Sequence, residues 1–394
     1  MERLMSQVFD ASRSLTALEQ ETTIIAVIEM SQSKWLVAAV VPGIKRQPLK
    51  KLDADEESLL KLLHRWRQEA ERAGYSIKRI VVAYEAGRDG FWLARWLRVR
   101  GMEAYVIHPT SIAVSREHRR AKTDRLDTEL LLRALLGWLR GEKRHCSMVA
   151  IPTAEEEDAK RPNRERDNLV TEQTRIVNQV KAILIRFGIR SFRPKLRKAE
   201  EQLGHLRTAE GSALPENTRA ELWRHLARLR MVREQIRAIE KERLQKLTAD
   251  HGRKKGPNAM VHLIARVVGI GVETADMLVT EVLSRQFRDR KAIARYAGLT
   301  GSPDESGKRR REKGLARAGN ARVRTSMIEL AWRLLRFQKN SALAQWFQTR
   351  TADRRGGTRK TMIVALARKL LIALWRFATT GQLSDGIVLR PTSS

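Results

Sequence analysis

The chain has 394 residues, which is enough for two or three domains that each bury a core. Its 77 Lys and Arg residues outnumber its 45 Asp and Glu residues, and the formal net charge is +32. So large an excess indicates a partner rich in phosphate, above all a nucleic acid. A membrane surface also attracts basic proteins, but the sequence has no apolar run of about 18 residues and no signal-peptide core near its start. We therefore predict no membrane partner and a cytoplasmic location.

Cysteine and histidine usage excludes the common thiolate and imidazole metal sites. Cys146 is the single cysteine, which rules out an intrachain disulfide and a thiolate zinc cluster. The simpler interpretation of Cys146 is a small apolar side chain in a core. The eight histidines show no spacing typical of metal ligands.

Residues 1–22 are polar and lack a clear period, which predicts an N-terminal arm. The following stretch, residues 23–150, predicts an α/β domain. Nearly continuous apolar runs at 23–29 and 35–41 are typical of a hairpin of buried strands. Further elements follow in the order strand, amphipathic helix, strand, helix and strand, at 45–52, 59–70, 79–85, 90–100 and 103–108. Strands that alternate with helices after an initial hairpin predict a mixed sheet flanked by helices.

Four acidic residues lie where a fold of this type gathers its ligands. Asp124 and Asp127, in the KTDRLD stretch at 122–127, open an apolar-periodic helix and share one of its faces. Glu29 and Glu85 end two apolar strands, and open α/β sheets bind ligands at the carboxyl ends of strands. Together the four carboxylates suit a two-metal site for phosphoryl transfer. Taken singly, each acid also fits a helix cap or a solvated strand end.

Charged helices predominate in residues 151–255, for which we predict a long helical hairpin or coiled coil. Apolar residues at 3-4 spacing recur in two runs, and residues 204–215 separate them. The apolar seam favours a homo-oligomer, either a dimer or a tetramer. The arginine-rich outer face fits a solvated surface or a track for RNA or DNA equally well.

Residues 256–394 predict a helical domain. The stretch 268–275 has the form of a helix-hairpin-helix turn, in which Gly269 and Gly271 permit a tight bend next to a phosphate-binding helix N-terminus. An ordinary helix-helix turn fits the same residues. Ser306 begins a strongly basic loop, and nearby cations stabilise both an alkoxide and the charge of a phosphodiester under attack, so it is a candidate nucleophile. The alternative is a serine that serves only the turn.

In combination these residues resemble the DEDD transposases of bacterial insertion sequences, also called bridge recombinases. The N-terminal resemblance rests on Glu29, Glu85, the pair His108-Pro109 and the match of residues 122–127 to the family motif K-T-D-x-x-D. The C-terminal resemblance rests on Gly269-Ile270-Gly271, Thr274-Ala275, Tyr296-Ala297-Gly298-Leu299, Ser306-Gly307 and Gly319-Asn320 with Arg322 and Arg324. It implies a RuvC-like (RNase H-like) N-terminal domain and an all-α C-terminal domain that carries the helix-hairpin-helix-like turn and the serine.

The resemblance also implies roles for single residues. Glu29, Glu85, Asp124 and Asp127 would hold Mg2+, and Ser306 would attack the DNA backbone to form a covalent phosphoserine. Donor DNA, target DNA and a structured guide RNA are the implied partners, in a multimer that joins the acidic domain of one protomer to the serine domain of another. The residues expected to contact nucleic acid are Lys122, Arg125, Gly269, Gly271, Lys308, Arg309, Arg310, Arg311, Asn320, Arg322 and Arg324.

Two positions depart from the family pattern. The first acid is normally aspartate, and Glu29 keeps the charge but adds one methylene, which shifts the metal geometry or weakens the site. The stretch Thr-Gly-Ser-Pro at 300–303 stands where the family more often has proline directly after the leucine. Ser302 is therefore a second candidate nucleophile, although it lacks the glycine that follows Ser306.

Three functions are open from the sequence. The leading hypothesis is a metal-dependent, serine-using DNA transposase or site-specific recombinase that is guided by RNA. A RuvC-like nuclease with water as its nucleophile is the second, and in it Ser306 only binds phosphate. The third is a nucleic-acid-binding protein that has lost its metal chemistry through Glu29 and binds in a salt-sensitive manner without cleavage.

Overall fold

The computed structural model describes residues 10–87, 90–112, 124–142, 145–250, 255–306, 309–315, 319–352, 355–383 and 386–390. The chain divides into two compact units, Met1–Glu155 and Glu156–Ser394. The second unit contains both the helical hairpin and the C-terminal helices, which the sequence pattern separates near residue 255. The division of the chain into four segments stays a prediction.

Strands β1 to β6 of the N-terminal unit span Thr23–Met30, Lys34–Val40, Leu49–Asp53, Arg79–Glu85, Glu103–Ile107 and Met148–Val149. In the described residues they form one six-stranded sheet in the order β3-β2-β1-β4-β5-β6. β1 pairs parallel with β4, and β4 with β5, whereas the other neighbours pair antiparallel. The predicted mixed α/β fold is confirmed. The sequence pattern misses β6, because two residues carry no readable period.

Helices cover both faces of the sheet, as the continuous apolar runs predict. Helices α1 (Glu56–Arg72) and α2 (Trp92–Val99) pack on the face that carries Ile28. Helix α3 (Asp124–Leu139) packs on the opposite face, which carries Val27. Side chains alternate along a strand, so the even-numbered residues of β1 and β4 face α1 and α2, and the odd-numbered ones face α3.

Cys146 lies in the core on the α3 side of the sheet. Burial raises the pKa of its thiol to about 12, so the side chain stays protonated and unreactive. The predicted role of Cys146 as a small apolar side chain is confirmed.

A helical hairpin begins the second unit, after the short helix α4 (Ala154–Asp158). Helix α5 (Arg161–Ile185) and helix α7 (Glu216–Ala249) pack along one apolar seam, and α6 (Ala199–Gly204) lies in their connection. The seam contains Ile176 and Val180 of α5 with Leu222, Leu226 and Leu229 of α7. Their 3-4 spacing is what predicts the hairpin from the sequence.

The C-terminal helices share one large core. They are α8 to α13, which span Pro257–Ala265, Val272–Leu278, Arg290–Tyr296, Ala321–Phe337, Ala342–Arg350 and Gly356–Thr380. A π-helical turn, Val279–Leu283, continues α9. In the part of the chain that the structure describes, no helix is long and apolar enough to cross a membrane.

A polar β-hairpin interrupts these helices, so the expectation of an all-α C-terminal domain is wrong. Strand β7 (Gly301–Ser306) pairs antiparallel with β8 (Arg309–Leu315). Strands are usually recognised by alternating β-branched or aromatic residues, and these two consist largely of Arg, Lys, Glu, Asp, Ser and Gly. The hairpin is formed by backbone pairing in a segment whose side-chain pattern indicates a loop.

Leu135 of α3 is fully buried against the sheet. Leu135→Ala leaves a cavity there, and we expect a loss of about 2–5 kcal/mol in the free energy of unfolding of this unit. Val99→Ala is the matched control, since Val99 is 85% exposed; we expect it to change the stability by about 0.5 kcal/mol at most. Urea unfolding followed by tryptophan fluorescence measures both. A loss no larger than that of the control would contradict the packing of α3 on the sheet.

Candidate active site

The parallel pairing of β1 with β4 brings Glu29 and Glu85 to the carboxyl ends of two neighbouring strands. The register aligns Ile28 with Tyr84, and the two glutamates follow directly. Adjacent strands lie about 4.8 Å apart, and the alternation of side chains assigns both glutamates to the face that α3 covers. Glu29 is half-buried and Glu85 is exposed. The predicted meeting of these acids at one edge of the sheet therefore has the backbone arrangement that it requires.

Helix α3 begins at Asp124, as the acidic motif predicts. Asp127 lies one turn before Leu131, so it belongs to the stripe that packs on the sheet, and it is half-buried. Asp127 is thus on the sheet-facing side of α3, while Glu29 and Glu85 are on the α3-facing side of the sheet. Three of the four predicted acids lie on surfaces that face each other.

Carboxylate oxygens are the ligands that Mg2+ takes in proteins, so the donor set fits this ion. Within the described parts of the chain, no group of three or more Asp, Glu, His or Cys side chains is close enough to hold a metal ion together. The side chain of Asp124 lies outside the described residues, as does the whole of Lys122. The four-acid metal site stays a prediction.

Ser306 is the last residue of β7, and its backbone pairs with that of Arg309 across the turn. Two residues join the strands, so Ser306 lies at the tip of a hairpin. Ser302, the second candidate nucleophile, pairs with Lys313 near the other end. The side chains from Ser302 to Lys313, and the whole of Lys308, lie outside the described residues. The two candidate serines are therefore distinguished by their place in the hairpin and not by their contacts.

The remaining arginines of the basic loop lie on β8. The backbones of Arg310 and Arg311 pair with those of Glu305 and Asp304 on β7. The register alone therefore places a basic strand beside an acidic one, next to the predicted nucleophile.

Both arms of the hairpin leave from one closely packed point. The first arm starts at the buried Leu299 after α10, and the second returns through Gly319 to α11. Gly319 has a φ of +94°, and a Cβ atom there would lie 2.6 Å from the backbone nitrogen of Gly298. The Asn320 N–H donates to the Tyr296 carbonyl at 2.6 Å. Glycine at 319 permits this approach of two backbones, because it has no side chain to separate them.

A buried carboxylate lies beside this point. Glu281, in the π-helical turn, is 1% exposed. It accepts hydrogen bonds from Arg164 Nε of α5 at 3.0 Å and from Asn320 Nδ2 at 3.1 Å. Burial raises the pKa of Glu281, but the hydrogen bond and charge of Arg164, with Asn320 and the nearby Lys160, hold it below its usual range. Glu281 is therefore an ionised group inside the second unit.

Asn320 uses both ends of its side-chain amide inside the protein. Its Oδ1 accepts from the N–H groups of Arg322 and Val323 and so caps α11. Its Nδ2 donates to Glu281 and lies 3.4 Å from Tyr296 Oη, which itself donates to the Glu281 carbonyl at 3.0 Å. The predicted contact of Asn320 with nucleic acid stays a prediction.

The sequence carries one signal for Glu281 that the motifs do not use. This acid lies in a run from Met277 to Leu283 that is otherwise apolar apart from Thr280, and acids in such runs are seldom buried without a partner. Its main partner, Arg164, is more than a hundred residues away in the chain and cannot be identified from spacing.

Several predicted nucleic-acid contacts lie in ion pairs within the protein. Arg125 is exposed and pairs with Glu129 at 3.2 Å, one turn further along α3. Arg322 is half-exposed and pairs with Asp167 of α5 at 2.5 Å. Arg324 is half-buried. Exposed pairs of this kind are weak and can be exchanged for a phosphate, so these contacts stay predictions.

Helices α8 and α9 form the two arms of the predicted helix-hairpin-helix turn. Gly269 lies between them with a φ of +90°, and Gly271 directly precedes α9. A Cβ atom at Gly269 would lie 3.5 Å from Phe337, which is an ordinary contact distance. Glycine is therefore favoured here by the positive φ angle and not by a lack of room for a side chain. A phosphate contact at the turn stays a prediction.

Acids at the carboxyl ends of parallel strands and a serine at the tip of a basic hairpin are groups that an enzyme of phosphoryl transfer on nucleic acid would use. Two family models match the chain. The DEDD model for IS110 transposases matches residues 28–188, and the model described as "Transposase IS116/IS110/IS902 family" matches residues 261–346. The chain belongs to the IS110 family of transposases, which are DNA-processing enzymes.

Curated relatives support this membership over most of the chain. A Sinorhizobium fredii protein whose name assigns it as transposase y4rJ is 40% identical over 382 residues, covering 93% of this chain and 94% of the relative. A Pseudomonas aeruginosa protein named as a family 20 transposase is 26% identical, covering 75% of this chain and 82% of its own. The transposase for insertion sequence element IS1111A of Coxiella burnetii is 25% identical, covering 66% and 67%.

Gly319→Ala and Gly211→Ala form a matched pair, since both glycines have positive φ angles, of 94° and 83°. A Cβ atom at Gly211 meets nothing within 4 Å, whereas one at Gly319 overlaps the backbone of Gly298. We expect Gly319→Ala to lower the free energy of unfolding by about 1–3 kcal/mol more than Gly211→Ala. Chemical denaturation measures both. Equal losses would contradict the close approach of the hairpin arms.

A pH series with Glu281→Gln tests the ionised state of Glu281. Because the pKa of Glu281 in the folded protein is lowered from its ordinary value of 4.5, its stabilisation is complete above that value and is lost as the pH falls through the folded pKa. Arg164 and Lys160 are the cations that act on this carboxylate. We expect the advantage of wild type over Glu281→Gln in thermal unfolding to shrink as the pH falls below the ordinary value of 4.5. An advantage independent of pH would rule out a carboxylate stabilised by these cations.

Proposed function

We propose that this transposase cuts and joins DNA with a Mg2+ site formed by Glu29, Glu85, Asp124 and Asp127, and with Ser306 as its nucleophile. The observation that carries the proposal is the parallel pairing of β1 with β4, which brings Glu29 and Glu85 together at one edge of the sheet. The strand order, with a three-stranded antiparallel part followed by parallel neighbours, supports a RuvC-like domain of the RNase H type.

The proposed reaction exchanges one phosphoester bond for another. When bound, Mg2+ offsets the negative charge that builds on the phosphodiester. Ser306 Oγ forms a bond to phosphorus while the bond from phosphorus to one sugar oxygen breaks. The serine proton passes to water, and water returns a proton to the sugar oxygen, which leaves as a hydroxyl. In strand exchange, a sugar hydroxyl of the second DNA attacks the same phosphorus and releases Ser306. No external energy source is required, because each step conserves a phosphoester.

A structured guide RNA and a multimer complete the proposal. The net charge of +32 supports more than one phosphate-rich partner. A site that joins the acidic domain of one protomer to the serine domain of another is what the family resemblance implies. The exposed arginines of the helical hairpin are candidates for the RNA contact.

A covalent-trapping assay tests the serine and the acids together. Purified protein is mixed with labelled donor and target DNA, the structured RNA transcribed next to the gene, and Mg2+, and adducts that survive denaturation are counted. We expect Ser306→Ala and Asp124→Ala to lower adduct formation by about a thousandfold or more, because each removes a group that acts directly on the phosphate. Ser302→Ala is the matched control and should keep the adduct.

The same assay separates the alternatives. Free cleaved DNA that persists in Ser306→Ala would identify a nuclease with water as its nucleophile. Salt-sensitive binding with neither product would identify a nucleic-acid-binding protein without metal chemistry. An adduct that forms equally well without RNA would contradict the guide, and one that forms in the presence of a chelator would contradict the metal.

A further inference from the structure

The orientation of the β7–β8 hairpin depends on its two roots, residues 298–299 and 319–320. A two-stranded ribbon is only marginally stable by itself, so its anchor decides where its tip lies. The bond from the Asn320 N–H to the Tyr296 carbonyl ties the second root to the end of α10, directly before the first root. A displacement at this point moves the start of β7, whose far end carries Ser306.

Asn320 connects these roots to the buried charge of Glu281. The 3.1 Å bond from its amide joins the second root to the π-helical turn, and Arg164 of α5 donates to the same carboxylate. Hydrogen bonds to an ionised group are roughly twice as strong as neutral ones, so this chain of contacts resists displacement. π-Helical turns are rare and recur at functional sites, and here the turn presents an acid to a loop that follows it in the chain.

We propose that Asn320 is a positioning residue for Ser306. Held by Glu281, and through it by Arg164 of the helical hairpin, Asn320 fixes the roots of the β7–β8 hairpin and thereby the place of the serine. The consequence for the reaction rests on the proposed function of Ser306, whereas the anchoring itself does not. The inference gives Asn320 an internal role, in contrast to a direct contact with DNA, since both ends of its amide already have protein partners.

An exchange of the two partners provides the test. Asn320→Asp keeps an acceptor for the cap of α11 but replaces the bond to Glu281 with two opposed carboxylates. Adding Glu281→Gln reverses the pair: the amide now at position 281 donates to the carboxylate now at position 320, the cap is kept, and the net charge equals that of wild type. Asn320→Ser is a second variant that keeps the cap and removes the amide donor. Asn258→Ser is the matched control, because it removes an amide donor that bonds Asp250 at 2.6 Å elsewhere in the second unit.

Two measurements read the outcome. We expect backbone amides of residues 301–306 and 309–315 to exchange hydrogen about tenfold faster in Asn320→Asp and in Asn320→Ser, with the reversed pair restored to within about threefold of wild type. Covalent adduct formation should follow the same order, with losses of about tenfold to a hundredfold in the single variants while DNA affinity in the reversed pair equals that of wild type. Thermal unfolding identifies any variant that fails to fold, and Asn320→Ser then replaces Asn320→Asp.

The results decide whether Asn320 positions Ser306 or contacts DNA directly. Unchanged hydrogen exchange of the hairpin in both single variants would overturn the inference. So would a reversed pair that stays impaired in DNA affinity, since that outcome assigns the Asn320 amide to the nucleic acid. If wild type forms no serine adduct, the proposed function fails, but hydrogen exchange still decides whether Asn320 and Glu281 anchor the hairpin.

Discussion

The ionised carboxylate of Glu281 joins three segments of the second unit, and the position of each segment depends on it. A charge that is 1% exposed is tolerated because Arg164 and Asn320 bind it directly. These two partners come from the start of the helical hairpin and from the cap of α11, so one buried group joins three segments far apart in the chain. Removal of Arg164 would leave the buried carboxylate without its main cationic partner, which would destabilise the unit.

A second network extends this junction along the helical hairpin. Arg243 of α7 is buried and donates to Asn163 of α5 at 3.0 Å, and it pairs with Asp276 of α9 at 2.9 Å. Asn163 also donates to Asp276 at 2.8 Å. The hairpin is thus connected to the C-terminal helices by buried polar groups, whereas its own two helices are held by an apolar seam. The two kinds of contact have different roles, because apolar burial is non-directional and a satisfied polar network fixes the positions of its members.

The N-terminal unit depends on a simpler constraint, the parallel register of β1 and β4. Each strand is an apolar run that ends in a glutamate, and pairing in register brings the two run ends to the same level. On the α3 face, the leucine stripe of α3 presents Asp127 toward the sheet. The acids are therefore positioned by the burial of the apolar residues beside them.

The sequence by itself determined the elements whose side chains carry a period. These elements are the continuous apolar strands, the 3-4 seam of the helical hairpin and the helix that begins at Asp124. Each is partly buried, and burial requires apolar residues at regular spacing, which can be recognised in the sequence. The motifs also identified the family. Tertiary structure alone decided that Glu29 and Glu85 are neighbours, that a polar stretch pairs as β7 and β8, and that Glu281, Arg164 and Asn320 meet. These features rest on strand order, backbone hydrogen bonds and contacts between residues distant in the chain, none of which imposes a local pattern on the sequence.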